Sequence, residues 1–169
     1  MDFNLIGEGT TVYLAVNQPG ALLYGGDGHA PQGDGELTGN ARETSMDIRF
    51  AVVVLREKKM GTPRAENAEY LMAIGCSGSL DEAFRGATSG LASWLKEDYG
   101  LSDPDIASVL GTSIQYNVAE VADRNVGVVA KMSKRTLAQL KGAAAKGSQK
   151  LLSNIAWFSR PIRWNTLWN

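Results

Sequence analysis

The chain has 169 residues, of which 44% are hydrophobic and 21% charged, and its 17 basic and 18 acidic residues leave a formal net charge of -1. These values are typical of one globular domain that is long enough to bury a core. No apolar run approaches the roughly 18 residues that a membrane helix needs, and the single Cys76 excludes both a disulfide framework and a cysteine-based metal cluster.

The N-terminal residues lack the basic and apolar regions of a secretory signal, which predicts a cytoplasmic location. The charge is unevenly distributed, because all 18 acidic residues lie at or before Asp123 and nine of the 17 basic residues follow it. A basic C-terminal part can bind anions, nucleic acid or a membrane surface. Its basic residues are spaced out, however, which favours a solvated helix, and we expect no nucleic-acid or membrane partner.

The first part of the chain is predicted to form two short strands. Residues 11–16 have the β-branched and aromatic content of a strand. Residues 17–20, Asn-Gln-Pro-Gly, are typical of a type II turn, and residues 21–24 are predicted to be a second strand. A glycine-rich loop, residues 25–36, follows directly, so it lies at a strand end, where functional residues are often found.

Two further strands are predicted before the first helix. In residues 46–56 apolar side chains alternate on one face, and the other face also becomes apolar toward the end. This pattern indicates a strand that is central in its sheet. The apolar run at residues 70–74 predicts another strand.

Two helices are predicted next. Ser79 and Glu82 have the spacing of a capping box, and the apolar spacing after them predicts a helix from residue 80 to about residue 99 that ends at Gly100. Ser102 begins a second helix, with proline and acidic residues in its first turn. It is predicted to end near Gly111.

The remaining pattern completes an α+β domain. Residues 116–122 and 126–131 predict two strands, and Ser133 is a candidate cap of a last helix. Strands followed by two helices and further strands favour the α+β class. We predict a mixed β-sheet with two to three helices.

The glycine-rich loop is the candidate site. It holds five glycines, several carboxylates and His29, the only histidine of the chain. A serine triad is disfavoured because no serine stands beside this histidine in a suitable context. A nucleophilic Cys76 is also disfavoured, because its apolar strand context predicts a small buried residue. Carboxylates near one imidazole fit a divalent metal site with a spare carboxylate as base, although Gly-Asp-Gly is also a common turn.

The motif at residues 26–36, Gly-Asp-Gly-His-Ala-Pro-Gln-Gly-Asp-Gly-Glu, resembles the hallmark of the acetamidase/formamidase family, which comprises metal-associated hydrolases of small amides. The resemblance covers about residues 2–135. Other stretches that resemble the family are residues 2–4, 19–22, 43–47, 66–75 and 118–125.

The resemblance implies hydrolysis of formamide, acetamide or a related short amide to a carboxylate and ammonia by a metal-activated water. It implies Asp2, Asp27 and His29 as metal ligands. It implies Glu36 and Asp34 as the catalytic residues, with Glu36 or Asp34 moving protons to the departing ammonia. The expected cofactor is a divalent metal ion, zinc or calcium.

The resemblance is to the C-terminal part of the family's longer members only. We therefore predict a family-like region at residues 1–135 and a basic, tryptophan-containing tail, helical or poorly ordered, at residues 136–169. A chain with half of such a fold exposes apolar strands, which favours association. The expected partners are a small amide and either further copies of the chain or a complementing N-terminal segment. The alternative to an enzyme is a non-catalytic truncated or split fragment that needs such a partner.

Overall fold

A computed structural model of the protein describes residues 2–56 and 58–139. The described elements form one sheet with helices, and a short 3-10 turn spans Asp34–Glu36. The strands are β1 (Thr11–Tyr13), β2 (Arg64–Glu66), β3 (Tyr70–Ser77), β4 (Gln115–Glu120) and β5 (Val126–Ser133), and the helices are α1 (Leu80–Tyr99), α2 (Asp103–Ser113) and α3 (Lys134–Gln139).

The sheet has five strands in the order β1-β2-β3-β5-β4. Its longest ladder joins β3 to β5 and runs from the pair Tyr70–Ser133 to the pair Ser77–Val126. All four described pairings are antiparallel. The predicted α+β class is therefore confirmed, and the sheet is antiparallel in the described residues instead of mixed.

Helix α1 has the predicted bounds because both of its ends are capped locally. The Ser79 side chain accepts a hydrogen bond from the backbone N–H of Glu82, and Gly100 ends the helix in the left-handed conformation, with φ 64°. The Glu82 carboxylate accepts a hydrogen bond from the Ser77 hydroxyl at 2.8 Å. In a complete capping box the Glu82 side chain would bind the backbone N–H of Ser79. Here it binds Ser77 at the end of β3 instead.

The core lies on both faces of the sheet. On one face, α1 and α2 pack on β3 and β5 through buried side chains that include Leu91, Trp94 and Leu95. On the other face, Phe3 of the N-terminal loop packs with Met72 and Val129. Burial on both faces fixes the register of β3 and β5, because a one-residue slip would exchange the two faces.

Helix α1 lies very close to the centre of β3. A Cβ atom added at Gly75 would lie 2.0 Å from the carbonyl oxygen of Ala83 and 2.6 Å from the backbone nitrogen of Ala87. Only glycine permits this approach of a helix backbone to a strand. The glycine therefore sets the distance between the helix layer and the sheet.

The later elements agree with the predictions to within a few residues. Helix α2 begins after Ser102, whose side chain accepts a hydrogen bond from the backbone N–H of Asp105, and it continues two residues past Gly111. Strand β4 begins one residue early and is interrupted by an irregularity between Val118 and Glu120. Helix α3 follows Ser133, as predicted.

Two predicted strands are absent from the described residues. Residues 21–24 and 46–56 are extended or irregular, with exposed apolar side chains and no strand partner among the described residues. Of the predicted strand at residues 11–16, only Thr11–Tyr13 pairs, with β2. Alternation of apolar residues predicts which segments suit a sheet, but a strand forms only where a neighbour supplies the hydrogen bonds.

The predictions for Cys76 and for the C-terminal tail have different outcomes. Cys76, predicted to be buried, is exposed, since it lies on β3 near the end of the strand. Most of the predicted tail, residues 140–169, lies outside the described residues, and the division at residue 135 stays a prediction. Among the described residues, no helix combines the length and apolar character needed to cross a bilayer.

Candidate metal centre

The glycine-rich loop folds back on a later segment of the chain. The backbone N–H of Thr44 donates to the Gly28 carbonyl at 2.9 Å, and that of Ala30 donates to the Arg42 carbonyl at 2.9 Å. His29 and Glu43 thereby face each other as an antiparallel bridge. Directly opposite residues of such a pair carry their side chains on the same face, so this pairing brings a second acidic residue to the histidine.

Three potential metal ligands converge at this bridge. The Nε2 atom of His29 lies 3.3 Å from Oδ1 of Asp27 and 3.1 Å from Oε1 of Glu43. One ligand atom from each residue lies within 4.8 Å of the other two. The imidazole is 7% exposed, whereas the side chains of Asp27 and Glu43 are 59% and 66% exposed. The group therefore combines a buried imidazole with two carboxylates that are open to solvent on the other side.

Gln32 orients the imidazole. Its side-chain Oε1 lies 3.2 Å from Nδ1 of His29, and because an amide oxygen only accepts, Nδ1 is the nitrogen that donates. The Nε2 atom is buried and makes no well-aligned hydrogen bond to the described residues. When the ring is neutral, the lone pair of Nε2 is directed toward the two carboxylates, as in a metal-ligating histidine whose other nitrogen is held by a second residue.

The charges around His29 favour a cation. The hydrogen bond to Gln32 raises the pKa of His29, and the negative charges of Glu43, Asp27 and Glu36 raise it further against the opposing effect of burial. The same arrangement suits a metal ion, because two carboxylate oxygens and one imidazole nitrogen are a common donor set for a divalent cation. A metal and a proton would compete for Nε2.

The loop also contains unusual backbone conformations. Asp27 and Glu36 have positive φ, at 64° and 41°, and they are the only non-glycine residues of the described chain that do. Such conformations are uncommon outside glycine and cluster at functional sites, where the surrounding structure maintains them. Both residues belong to the predicted site.

Asp34 is held on both sides of its carboxylate. Its Oδ1 accepts a hydrogen bond from the side-chain amide of Asn4 at 3.2 Å, and its Oδ2 accepts one from Asn117 of β4 at 3.1 Å. Beside it, the Gly35 carbonyl accepts a hydrogen bond from the backbone N–H of Val121 at 2.8 Å. These bonds fasten the Asp34–Glu36 turn to the sheet and to the N-terminal loop.

The other two predicted residues, Glu36 and Asp2, are not among the three converging residues. The negative charge of Glu36 contributes to the raised pKa of His29. Burial raises the pKa of the Glu120 carboxyl, and the charges of Asp123 and Asp2 raise it further. The role of Asp2 as a ligand stays a prediction.

Sequence patterns did not predict four residues of this site: Glu43, Gln32, Asn4 and Asn117. Glu43 lies in one of the stretches that carry the family resemblance, but it is 14 positions from His29 and no spacing rule joins the two. One sequence feature could have indicated this pairing. Gly39-Asn40 is a turn signal between two short polar segments, and such a pattern is compatible with a hairpin. Asn4 lies in the family-like stretch at residues 2–4, but no spacing rule predicts its contact or that of Asn117, since both contacts join distant parts of the chain.

A surface pocket of about 330 Å³ lies elsewhere, lined by Ala68, Glu69, Tyr70, Ser133 and Arg135. None of the predicted site residues lines it. The candidate site is therefore the group of converging ligand atoms of Asp27, His29 and Glu43, and this pocket is not part of it.

The fold and the site define an antiparallel α+β protein with a carboxylate–imidazole candidate metal centre on a glycine-rich loop. The model of the acetamidase/formamidase family matches residues 1–139. The chain belongs to the acetamidase/formamidase family, as its motifs predicted.

Three solved structures are similar to the chain. An acetamidase from Yersinia enterocolitica is 36% identical with a TM-score of 0.72, and the match covers 82% of this chain and 42% of that one. A predicted acetamidase/formamidase from Thermoanaerobacter tengcongensis is 28% identical with a TM-score of 0.68, covering 82% and 46% of the two chains. An acetamidase from Bacillus halodurans is 26% identical with a TM-score of 0.68, covering 83% and 48%.

The chain thus spans less than half the length of each of these relatives. No curated protein matches the sequence.

Proposed function

We propose that this chain carries the metal-binding part of an amidase active site, which hydrolyses a small linear amide such as formamide or acetamide to a carboxylate and ammonia. The observation that carries the proposal is the convergence of Asp27, His29 and Glu43 at the motif that identifies the family. Membership of the acetamidase/formamidase family supports this reaction class.

In this proposal His29, Asp27 and Glu43 hold one divalent ion. The imidazole nitrogen favours zinc over calcium, because calcium prefers six to eight oxygen ligands. A bound ion supplies a water of lowered pKa and a positive charge for the oxyanion that develops on the amide carbonyl. Gln32 holds the ring through Nδ1 and leaves Nε2 for the ion.

Protons are moved by Glu36 in this proposal. The amide nitrogen has to be protonated before it leaves as ammonia, so a carboxylate near the ion must take a proton from the attacking water and deliver it to nitrogen. Glu36 lies on the Asp34–Glu36 turn of the glycine-rich loop with a positive φ of 41°, and its negative charge contributes to the raised pKa of His29. Both oxygens of Asp34 are already occupied by Asn4 and Asn117, so we assign Asp34 to holding the turn that carries Glu36.

The test begins with metal binding, which does not depend on turnover. We expect isothermal titration calorimetry to give one zinc per chain and His29→Ala to abolish it. Asp81→Asn is the matched control, since Asp81 is an exposed carboxylate that pairs with Arg85 on α1. Ammonia release from formamide and acetamide is then measured with the metal-loaded chain. Zinc binding that is unchanged by His29→Ala would contradict the proposed site.

A second candidate function is that of a non-catalytic fragment that works only with a partner. It is favoured by the share of the relatives' length that the chain covers and by the exposed apolar side chains of residues 46–55. Ammonia release by the metal-loaded chain alone would contradict it. The cytoplasmic location and self-association stay predictions.

A further inference from the structure

The surface pocket of about 330 Å³ has a chemistry of its own. Its volume is at the lower end of those that hold small ligands. The pocket is formed where the turn between β2 and β3 meets the end of β5 and the start of α3. Since no ligand residue of the candidate metal centre lines it, its function can be considered separately. The lining residues are Ala68, Glu69, Tyr70, Ser133 and Arg135.

One wall of the pocket is aromatic. Tyr70 and Ser133 are directly opposite each other in the ladder between β3 and β5, so their side chains lie on the same face of the sheet. Tyr70 packs against the buried group that includes Met72, on the face away from α1. The ammonium group of Lys131 lies 4.9 Å from the centre of the Tyr70 ring, in a cation–π contact. Tyr70 and Ala68 thus supply apolar surface beside the Ser133 hydroxyl.

The turn that carries Glu69 is fixed by hydrogen bonds. The side-chain oxygen of Asn67 accepts hydrogen bonds from the backbone N–H groups of Glu69 at 2.9 Å and of Tyr70 at 2.8 Å. The Glu69 carbonyl accepts a hydrogen bond from the backbone N–H of Lys134 at 2.8 Å. The turn is therefore fastened to the residue that precedes Arg135, and a ligand of this pocket would not have to order its backbone.

Two charged side chains of the pocket differ from their charged neighbours. The Nζ atom of Lys134 lies 2.7 Å from the Glu66 carboxylate, so these two charges neutralise each other. Glu69 and Arg135 are exposed, and the side chain of neither makes an ion pair or a hydrogen bond with another described residue. Within the described part of the chain, the pocket therefore presents one unpaired anion and one unpaired cation.

This pair of charges determines the class of ligand. A simple anion would be attracted by Arg135 and repelled by Glu69, and a simple cation would meet the reverse. A ligand that carries both charges is attracted by both residues. The planar guanidinium of an arginine matches a carboxylate through two parallel hydrogen bonds, and the carboxylate of Glu69 accepts hydrogen bonds from an ammonium group. The pocket therefore suits a zwitterion with an apolar part that can contact Tyr70.

We infer that this pocket binds a small zwitterion, an α-amino acid with an aliphatic side chain. Its carboxylate binds Arg135 and the hydroxyl of Ser133, its ammonium group binds Glu69, and its side chain packs on Tyr70. The inference rests on the residues of the pocket and does not depend on the proposed amidase function.

The test titrates the full chain with L-leucine in buffer with EDTA, which keeps divalent ions away from the protein and from the amino acid. Backbone amide shifts are followed by nuclear magnetic resonance. We expect shifts in residues 68–70 and 133–135 and a Kd on the order of 1 mM, because a ligand of this size gains limited free energy in an open pocket. Two analogues each lack one charge: 4-methylpentanoate lacks the ammonium group and 3-methylbutylamine lacks the carboxylate. Both are expected to bind about fivefold more weakly, the upper range for an ion pair open to solvent.

Two variants assign the charges to the two ends of the ligand. Arg135→Gln is expected to weaken L-leucine about fivefold and to leave 3-methylbutylamine unchanged, because that analogue has no carboxylate. Glu69→Gln is expected to weaken L-leucine by a similar factor, whereas 4-methylpentanoate binds equally or more tightly. A general loss of structure would not produce this crossed pattern. Arg85→Gln is the matched control, because Arg85 is an exposed arginine of α1 that does not line the pocket.

Three results would overturn the inference. One is the absence of shifts at L-leucine concentrations roughly tenfold above the expected Kd. The second is equal affinity for L-leucine and its two analogues, which would indicate apolar binding that ignores both charges. The third is an equal loss of L-leucine binding in Arg135→Gln and Arg85→Gln. Binding of L-leucine by a chain that releases no ammonia from amides after zinc is added would support the pocket and contradict only the proposed catalytic function.

Discussion

At the scale of single residues, the candidate site depends on how one imidazole is oriented. Nδ1 of His29 is held by Gln32, and Nε2 faces Asp27 and Glu43. Replacing a residue that hydrogen-bonds the second nitrogen of a metal-ligating histidine typically lowers metal affinity by about 10- to 100-fold. Gln32 is therefore the residue through which the proposed centre can be tested without removing a ligand.

Gln32→Ala is expected to weaken zinc binding by about 10- to 100-fold. The physical reason is that the ring loses the hydrogen bond that fixes its orientation and keeps the proton on Nδ1. The measurement is calorimetric titration of the purified variant with zinc. Gln115→Ala, at an exposed position of β4, should leave the affinity unchanged, and an equal loss in both variants would argue against the assigned role.

The thiol of Cys76 gives a prediction about pH. Although Cys76 is exposed as a residue, its sulfur is partly covered, and this partial burial raises the pKa of the thiol, as does the charge of Glu120. Because the thiolate is the reactive form, alkylation by iodoacetamide in the folded chain should need a higher pH than in the chain unfolded by denaturant. The chain has one cysteine, so the rate reports this thiol alone. Coincident pH profiles in the two states would contradict the prediction.

At the scale of elements, the contact of α1 with β3 sets the spacing of the two layers. The contact is between backbone atoms at Gly75, Ala83 and Ala87, so it cannot relax by moving a side chain. The elements that hold the site depend on this layer, because β4 pairs with β5, β5 pairs with β3, and Asn117 of β4 binds Asp34.

Gly75→Ala is expected to destabilise the fold by about 1–3 kcal/mol or more, since the helix has to move away from the strand. Chemical denaturation measures the change. Gly111→Ala is the matched control, because an added Cβ there meets nothing within 4 Å and alanine favours a helix by up to about 1 kcal/mol over glycine. Similar stabilities for the two variants would contradict the close contact of the α1 backbone with Gly75.

At the scale of the whole molecule, the proposed metal links parts of the chain that are far apart in sequence. The bridge joins Gly28–Ala30 to residues 42–44, and the Asp34–Glu36 turn is fastened to β4. A ligand that binds only the folded chain stabilises it by mass action, by about 2.7 kcal/mol at a free concentration of 100 times Kd. The midpoint of thermal unfolding should therefore depend on zinc.

Saturating zinc is expected to raise Tm by roughly 5–10 °C, since about 1 kcal/mol corresponds to about 2–4 °C for a domain of this size. Differential scanning calorimetry with zinc and with EDTA measures the shift. His29→Ala should melt at the same temperature in both buffers. A rise of Tm in the variant as well would mean that the ion binds elsewhere.

Much of the fold could be predicted from the sequence because its causes are local. The ends of α1 follow from Ser79 and Gly100, and the apolar runs of β3 and β5 suit strands that are buried on both faces. The glycine-rich loop could be selected as the site because only there do carboxylates surround the single histidine. Asp27 and His29 were selected for the same reason, and the structure places them together.

The tertiary structure decided which distant residues join these local features. Glu43 reaches His29 only because two segments pair across a connection of a dozen residues, and Asp34 is fastened by residues 30 positions before it and 83 positions after it. Residues 46–56 have the pattern of a strand and lack a pairing partner among the described residues. Sequence determines what a segment can form, but hydrogen-bonded neighbours, which are non-local, determine whether it forms.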